Sequence, residues 1–236
     1  MSLKVDIHKR LGTFLLDSVF ETDDPITGFL GPSGCGKSIT LKCIAGIMTP
    51  DCGHIELDGR ILYDSDKRIC VRPQDRHVGY LFQSYALFPT MNVRKNIMCG
   101  LVSVKDRQVK EERYQKMVEL LHLEGLDDHM PYQLSGGQTQ RTAIARMLVS
   151  SPDLLLLDEP FSALDSYLRK GLQKELSNLL EKIGRRALLV THSQSEVRKM
   201  CSRLYVMDGG RIIRGGATEE VFAAPNSERC ALLLEE

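Results

Sequence analysis

The stretch Gly31-Pro-Ser-Gly-Cys-Gly-Lys-Ser38 constrains this chain more than any other. It fits G-x-x-x-x-G-K-[ST], a spacing whose chemistry is phosphate binding. Glycines at 31, 34 and 36 let the backbone turn tightly and point its N–H groups at oxygens. Lys37 supplies a charge for terminal phosphates, and Ser38 a hydroxyl for Mg²⁺. The apolar run Ile26–Leu30 leads into the loop, and Lys37–Met48 reads as a helix. Strand, glycine loop and helix N-terminus in that order form a real phosphate site rather than a chance match. A triphosphate is therefore the expected ligand.

Further along, Asp158-Glu159 closes the all-apolar run Leu154–Leu157, as expected of a parallel strand buried on both faces. Carboxylates at such a strand end face the phosphate loop in α/β folds. Asp158 can hold a metal through water, and Glu159 can polarise a nucleophilic water as general base. A second buried strand, Ala187–Thr191, ends at His192, and the strand Val78–Phe82 ends at Gln83. Neither His192 nor Gln83 persuades alone; their order after the loop gives them weight.

Leu134-Ser135-Gly136-Gly137-Gln138 precedes an apparent helix, Gln138–Ser150, so its amides and hydroxyl sit at a positive helix end that binds an anion. The chain already has one phosphate loop, so a second anion site needs a second nucleotide. Two chains arranged head to tail would satisfy both sites with twofold symmetry.

The rest of the chain frames these motifs. The opening, up to about Glu21, alternates loosely and predicts short strands; His54–Tyr63 predicts a hairpin around Asp58-Gly59. Val109, Met117, Val118, Leu120 and Leu121 among many charges predict an amphipathic surface helix within 105–123. That segment reads as a helical subdomain inserted into an α/β core. Leu168, Leu172, Leu176, Leu179, Leu180 and Ile183 make a further helical stripe. The 31 basic and 31 acidic residues cancel, which argues against a nucleic-acid partner. Seven scattered cysteines, never spaced as C-x-x-C, argue against a disulfide framework or zinc site and fit a reducing compartment. The chain shows neither the apolar core of a secretory signal nor a membrane-spanning stretch, so it reads as cytosolic, with any membrane role exercised through a partner.

Taken together, these motifs resemble those of ATP-binding-cassette (ABC) transporter ATPases, over about residues 3–234. Leu134–Gln138 resembles the family signature, which reaches the nucleotide held by the other subunit. Gln83 resembles the glutamine that senses Mg²⁺ and the attacking water, His192 the switch histidine that contacts the γ-phosphate, and Ser162-Ala-Leu-Asp165 the D-loop at the dimer interface. The resemblance implies a P-loop NTPase (RecA-like) core with an antiparallel β subdomain and an inserted α-helical subdomain, divided as 1–83, 84–134 and 135–236. It implies ATP contacts from Gly31, Pro32, Ser33, Gly34, Cys35, Gly36, Lys37, Ser38 and Ile39, and Mg²⁺ held with help from Ser38, Gln83 and Asp158.

Arg72–Pro89 is similar to segments of molybdate, sulfate, polyamine and ferric-iron importer ATPases; Leu11–Asp17 and Leu62-Tyr63-Asp64 lean towards the molybdate/tungstate branch. Where many relatives stack a tyrosine on adenine, this chain offers Leu11 or Phe14, and Thr139 replaces a usual glutamine after the signature. The implied partners are a second copy of the chain, integral-membrane permease subunits and, indirectly, an extracytoplasmic solute-binding protein. The implied place is peripheral, on the cytoplasmic face of the membrane. Tyr85, Leu87, Phe88 and Met91 cluster just after Gln83. They form either the groove that receives a permease helix or the core of the helical subdomain.

Overall fold

Strict alternation of apolar and polar residues builds the first two strands. In the computed structural model, which describes residues 2–162 and 166–235 (without the side chains of 166–168 and 170), β1 (Leu3–Leu11) buries Leu3, Val5 and Ile7 and exposes Lys4, Asp6 and His8. It pairs antiparallel with β2 (Phe14–Thr22). These strands run nine residues each, longer than the loose pattern predicts. On the other edge of β1 lies β4 (Cys52–Leu57), joined to β5 (Arg60–Asp64) by the expected turn, in which Asp58 and Gly59 both have positive φ, 52° and 80°. A short β6 (Ile69–Cys70) ends this antiparallel wing.

The second half of the sheet is parallel. It contains β3 (Ile26–Leu30), β7 (Val78–Leu81), β8 (Leu154–Asp158), β9 (Arg186–Thr191) and β10 (Arg203–Asp208), with β11 (Arg211–Ala217) returning antiparallel to β10. Among the described residues the order is β6-β5-β4-β1-β2-β11-β10-β3-β9-β8-β7. The apolar run of β8 shows why the strand needs no polar face. Leu155 and Leu157 enter one hydrophobic cluster while Leu154 and Leu156 enter the other.

Helix α1 (Lys37–Ala45) follows β3 and packs on the second of those clusters. Between β7 and β8 come α2 (Val93–Met98), α3 (Arg107–Leu120) and α4 (Gly136–Leu148). Asp106 accepts from the amides of Gln108 and Val109, so α3 starts at Arg107. Of the predicted stripe, Val118 and Leu121 are buried and Met117 and Leu120 pack half-buried against them. In α5 (Ser166–Ile183), Leu172, Leu176, Leu179 and Leu180 are buried, at the spacing of one helix face; the Leu168 side chain lies outside the described residues. The chain closes with α6 (Gln194–Met200), α7 (Thr218–Ala223) and α8 (Glu228–Glu235). None of the described helices is long and apolar enough to cross a membrane.

The far end of α1 is held by an arginine. Arg76, only 1% exposed, donates Nη1 to the carbonyls of Cys43 and Ile44 and Nε to that of Val71. The last carbonyls of a helix have no partner within it and carry partial negative charge, so a cation there satisfies both needs. Gly46 closes the helix at φ 77°, and a Cβ at that position would lie 2.6 Å from Arg76 Nε. The guanidinium occupies the space that glycine leaves.

Candidate nucleotide site

Strands β3, β7, β8 and β9 point their carboxyl ends to one edge of the sheet, where α/β folds bind ligands. From β3 the chain enters the glycine loop and then α1. Gly36 stands before α1 with φ 111°, a conformation that favours glycine, and a Cβ there would press on the tip of the Leu16 side chain, with Cδ1 at 2.7 Å. No side chain caps this helix end. Helix bonding begins with the Thr40 amide donating to Gly36 O at 3.0 Å, which leaves the amides of Lys37, Ser38 and Ile39 at the open positive end.

The charged and polar groups converge there. Lys37 is buried, with Nζ donating to Gly31 O at 2.6 Å and Pro32 O at 2.9 Å. Its third donor faces the Cys35 sulfur at 3.7 Å, a weak acceptor that an anionic oxygen would outcompete. Burial pushes the Cys35 thiol up, so the loop cysteine stays protonated. Ser38 Oγ donates to Asp158 Oδ1 at 2.7 Å, joining the helix end to β8. Next in the chain, Glu159 adopts φ 46°, a conformation uncommon outside glycine and typical of residues held for function. Its Oε2 accepts from Gln83 Nε2 at 3.0 Å and lies 3.7 Å from His192 Nδ1. Ser33, Gly34, Ile39, Gln83 and Glu159 line a cleft of about 280 Å³ between loop and carboxylate. The residues expected from the glycine loop and from three separate strand ends thus meet at one place.

Leu134–Gln138 has a different geometry. Ser135 caps α4: its Oγ accepts from the Gln138 amide at 3.3 Å, while Gln138 Oε1 accepts from the Ser135 amide at 2.8 Å. Thr139 donates its hydroxyl back to Ser135 O at 3.0 Å, which suits a residue of the first turn. Leu134 packs against the larger core cluster, Gly136 is exposed and Gly137 buried. Ser135 and Gln138 find their partners in each other, not in the phosphate loop of their own chain. Asp165, the expected D-loop residue, lies outside the described residues, as do Ala163 and Leu164.

The two readings of the cluster after Gln83 divide residue by residue. Tyr85 is buried, its hydroxyl donating to Pro160 O at 3.0 Å and its pKa pushed up to about 12 by that burial. The backbone is left-handed at Tyr85 and again at Ala86, φ 59° and 45°. Tyr85 is core, and only Phe88 of that cluster is exposed, at 46%; Leu87 and Met91 are half-buried.

Sequence reasoning also missed three residues that support the site. Tyr80 Oη donates to Asp158 Oδ2 at 2.7 Å, and burial with the neighbouring carboxylate holds this phenol far above its ordinary range, so it remains a donor. Gln140 Nε2 donates to Pro160 O at 3.2 Å, the same carbonyl that Tyr85 reaches, tying α4 to the residue after Glu159. Arg76 anchors α1 from behind. Only Tyr80 left a signal in the sequence, a polar tip on an otherwise apolar strand.

The sequence pattern of the ABC transporter family matches residues 22–162. The chain is 43% identical over 198 residues to the sulfate/thiosulfate import ATP-binding protein CysA 2 of Chromobacterium violaceum, covering 84% of this chain and 52% of that protein. It is 42% identical over 224 residues to the spermidine/putrescine import ATP-binding protein PotA of Oleidesulfovibrio alaskensis, covering 94% of this chain and 55% of that protein. The chain therefore spans about half the length of these two curated relatives. Among solved structures it is similar to the dimeric structure of MJ0796, a bacterial ABC transporter cassette, with a TM-score of 0.76 at 26% identity, covering 92% of this chain and 99% of that one. With sequence pattern, relatives and architecture in agreement, the chain belongs to the ABC transporter family of ATP-binding cassettes.

Proposed function

We propose that this chain is the ATP-hydrolysing, energy-coupling subunit of an importer. The observation that carries the reading is the convergence on the cleft of a phosphate-loop lysine, a serine–aspartate pair and a glutamate bridged to Gln83. The open end of α1 and Lys37 would hold the triphosphate. Ser38 and Asp158 offer Mg²⁺ hard oxygens joined at 2.7 Å, which fits an ion usually bound by one or two carboxylates with phosphates and waters. Mg²⁺ bound there would neutralise charge on the phosphates. Glu159 would take a proton from a water as that water attacks the γ-phosphorus and the bond to the β-phosphate oxygen breaks, yielding ADP and phosphate. Gln83 orients Glu159 from one side, and His192 lies where it could follow the γ-phosphate.

The exposure of Ser135 and Gly136 at the start of α4 supports a dimer in which Leu134–Gln138 of one copy completes the site of the other. A Ser135–Gln138 cap that is complete in itself leaves that surface preformed. The division into 1–83, 84–134 and 135–236 belongs to the same proposal, with α2 and α3 as the inserted unit and α4 packed against it. The partners proposed are integral-membrane permease subunits, with an extracytoplasmic binding protein acting through them, and the location is the cytoplasmic face of the membrane. Balanced charge supports no nucleic-acid role. For the solute we propose an oxyanion. Molybdate/tungstate rests on the segments Leu11–Asp17 and Leu62–Asp64; the relatives, a sulfate/thiosulfate and a polyamine importer protein, are similar to the chain to the same degree and leave sulfate, polyamine and ferric iron as alternatives.

Glu159→Gln tests the catalytic reading. It keeps shape and the Gln83 contact but removes the base, so turnover should fall by at least about 100-fold. ATP affinity should stay within a few-fold of wild type, and a nucleotide-bound dimer should accumulate in size-exclusion chromatography. Wild-type hydrolysis by the purified variant would refute the assignment.

A further inference from the structure

The Asp158 carboxylate is held by two hydroxyls, one on each oxygen. Ser38 Oγ donates to Oδ1 and Tyr80 Oη to Oδ2, both at 2.7 Å. The serine belongs to the phosphate loop; the tyrosine comes from β7, and none of the site motifs includes it. Register explains how it arrives. Tyr80 pairs with Leu156 across the parallel ladder, and both enter the cluster on the α1 face. Asp158 lies two residues beyond Leu156 on the same face, a rise of roughly 6.6 Å. A tyrosine side chain leaning along the strand spans that distance. The Phe82 ring packs against the phenol ring with centroids 4.5 Å apart.

The two donors matter because a carboxylate is otherwise loose. Rotation about the Asp χ2 bond is broad and roughly two-fold, so one hydrogen bond leaves the second oxygen to wander. A cation on Oδ2 would also fix it, but it would neutralise the charge that an oxygen-seeking metal needs. Among the described residues Asp158 has no ion-pair partner; its partners are neutral hydroxyls. Tyr80 therefore restrains the group without weakening its charge.

We infer that Tyr80 is a positioning residue, which locks the Asp158 carboxylate by Oδ2 so that Oδ1 is presented to Ser38 and to the Mg²⁺ that accompanies the nucleotide. This rests on the ATP-site reading above.

The test is Tyr80→Phe, which keeps the ring and removes only the hydroxyl. Affinity for a fluorescent ATP analogue is measured in EDTA and across a Mg²⁺ titration, beside thermal melting. The affinity in EDTA should stay within about twofold, while the Mg²⁺ concentration for half-maximal tightening should rise at least about tenfold, the loss expected for one hydrogen bond to a charged group. On an Asp158→Asn background the same substitution should shift the Mg²⁺ titration no further, because its target is gone. A lowered melting temperature with an unchanged Mg²⁺ titration would overturn the inference and leave Tyr80 a packing residue. So would an equal shift on both backgrounds. A wild-type chain whose nucleotide binding ignores Mg²⁺ would overturn the ATP-site reading itself, and the inference with it.

Discussion

Replacing Arg76 by methionine should destabilise the chain without touching the phosphates. The side chain is of similar length, but three donated bonds disappear, to Val71 O, Cys43 O and Ile44 O, at 2.9, 2.9 and 2.8 Å. Hydrogen bonds from a charged donor contribute about 1.5 kcal/mol or more each, so the gross loss is about 4–5 kcal/mol. Against this stands the cost of burying the guanidinium, which is incompletely offset: burial pulls its pKa down, and Nη2 has no partner among the described residues. Methionine avoids that cost, leaving a net loss of about 2–4 kcal/mol. In chains of this size each kcal/mol moves the melting temperature by about 2–4 °C, so nucleotide-free protein should melt about 4–16 °C lower by circular dichroism. Arg76→Lys should recover less than half of the loss, since an ammonium has no planar fork to span the helix carbonyls. ATP affinity measured well below the transition should change less than about threefold, because the phosphate end of α1 lies roughly 13 Å away, its whole length. A fall under about 2 °C, or lost ATP binding in a chain of unchanged stability, would show that Arg76 does not anchor α1.

Two more outcomes follow from exposed features. Phe88→Asp should leave ATP binding intact and abolish most transport in vesicles holding the cognate permease, whereas a polar residue at buried Tyr85 should lower stability instead; normal transport by the Phe88 variant would move the docking surface elsewhere. The Arg229 guanidinium hydrogen-bonded to Asp208 holds that carboxyl below its ordinary range, so the bond contributes fully above an unfolded pKa near ~3.9 and is lost as pH falls through the lower folded value. Amides of α8, corrected for intrinsic exchange, should therefore lose protection between about pH 4 and pH 2 and show none of that change from pH 6 to 8; equal protection at both ends would refute the link.

What could be read from sequence was what neighbours along the chain encode. The glycine loop and the buried run ending at Asp158 are each complete within a dozen or so residues and stand where their spacing predicted; a helix follows Leu134–Gln138 as expected, but it starts at Gly136 with a Ser135–Gln138 cap that was not foreseen. Tyr80, Arg76 and Gln140 act across the fold on partners that register and packing bring near, and apart from the polar tip of Tyr80 on its apolar strand no local pattern marks them. Tyr85 shows the same limit from the other side. Its neighbours in sequence left groove and core equally open, and it lies in the core, with left-handed backbone at both Tyr85 and Ala86 and its hydroxyl sharing Pro160 O with Gln140. The division has a physical cause. Groups proposed to meet phosphate sit on helix and strand ends whose local sequence builds them, while the groups that restrain them come from elsewhere. Glu159 makes the point, since its own segment supplies the carboxylate but Gln83, two residues past another strand, supplies the hydrogen bond that aims it.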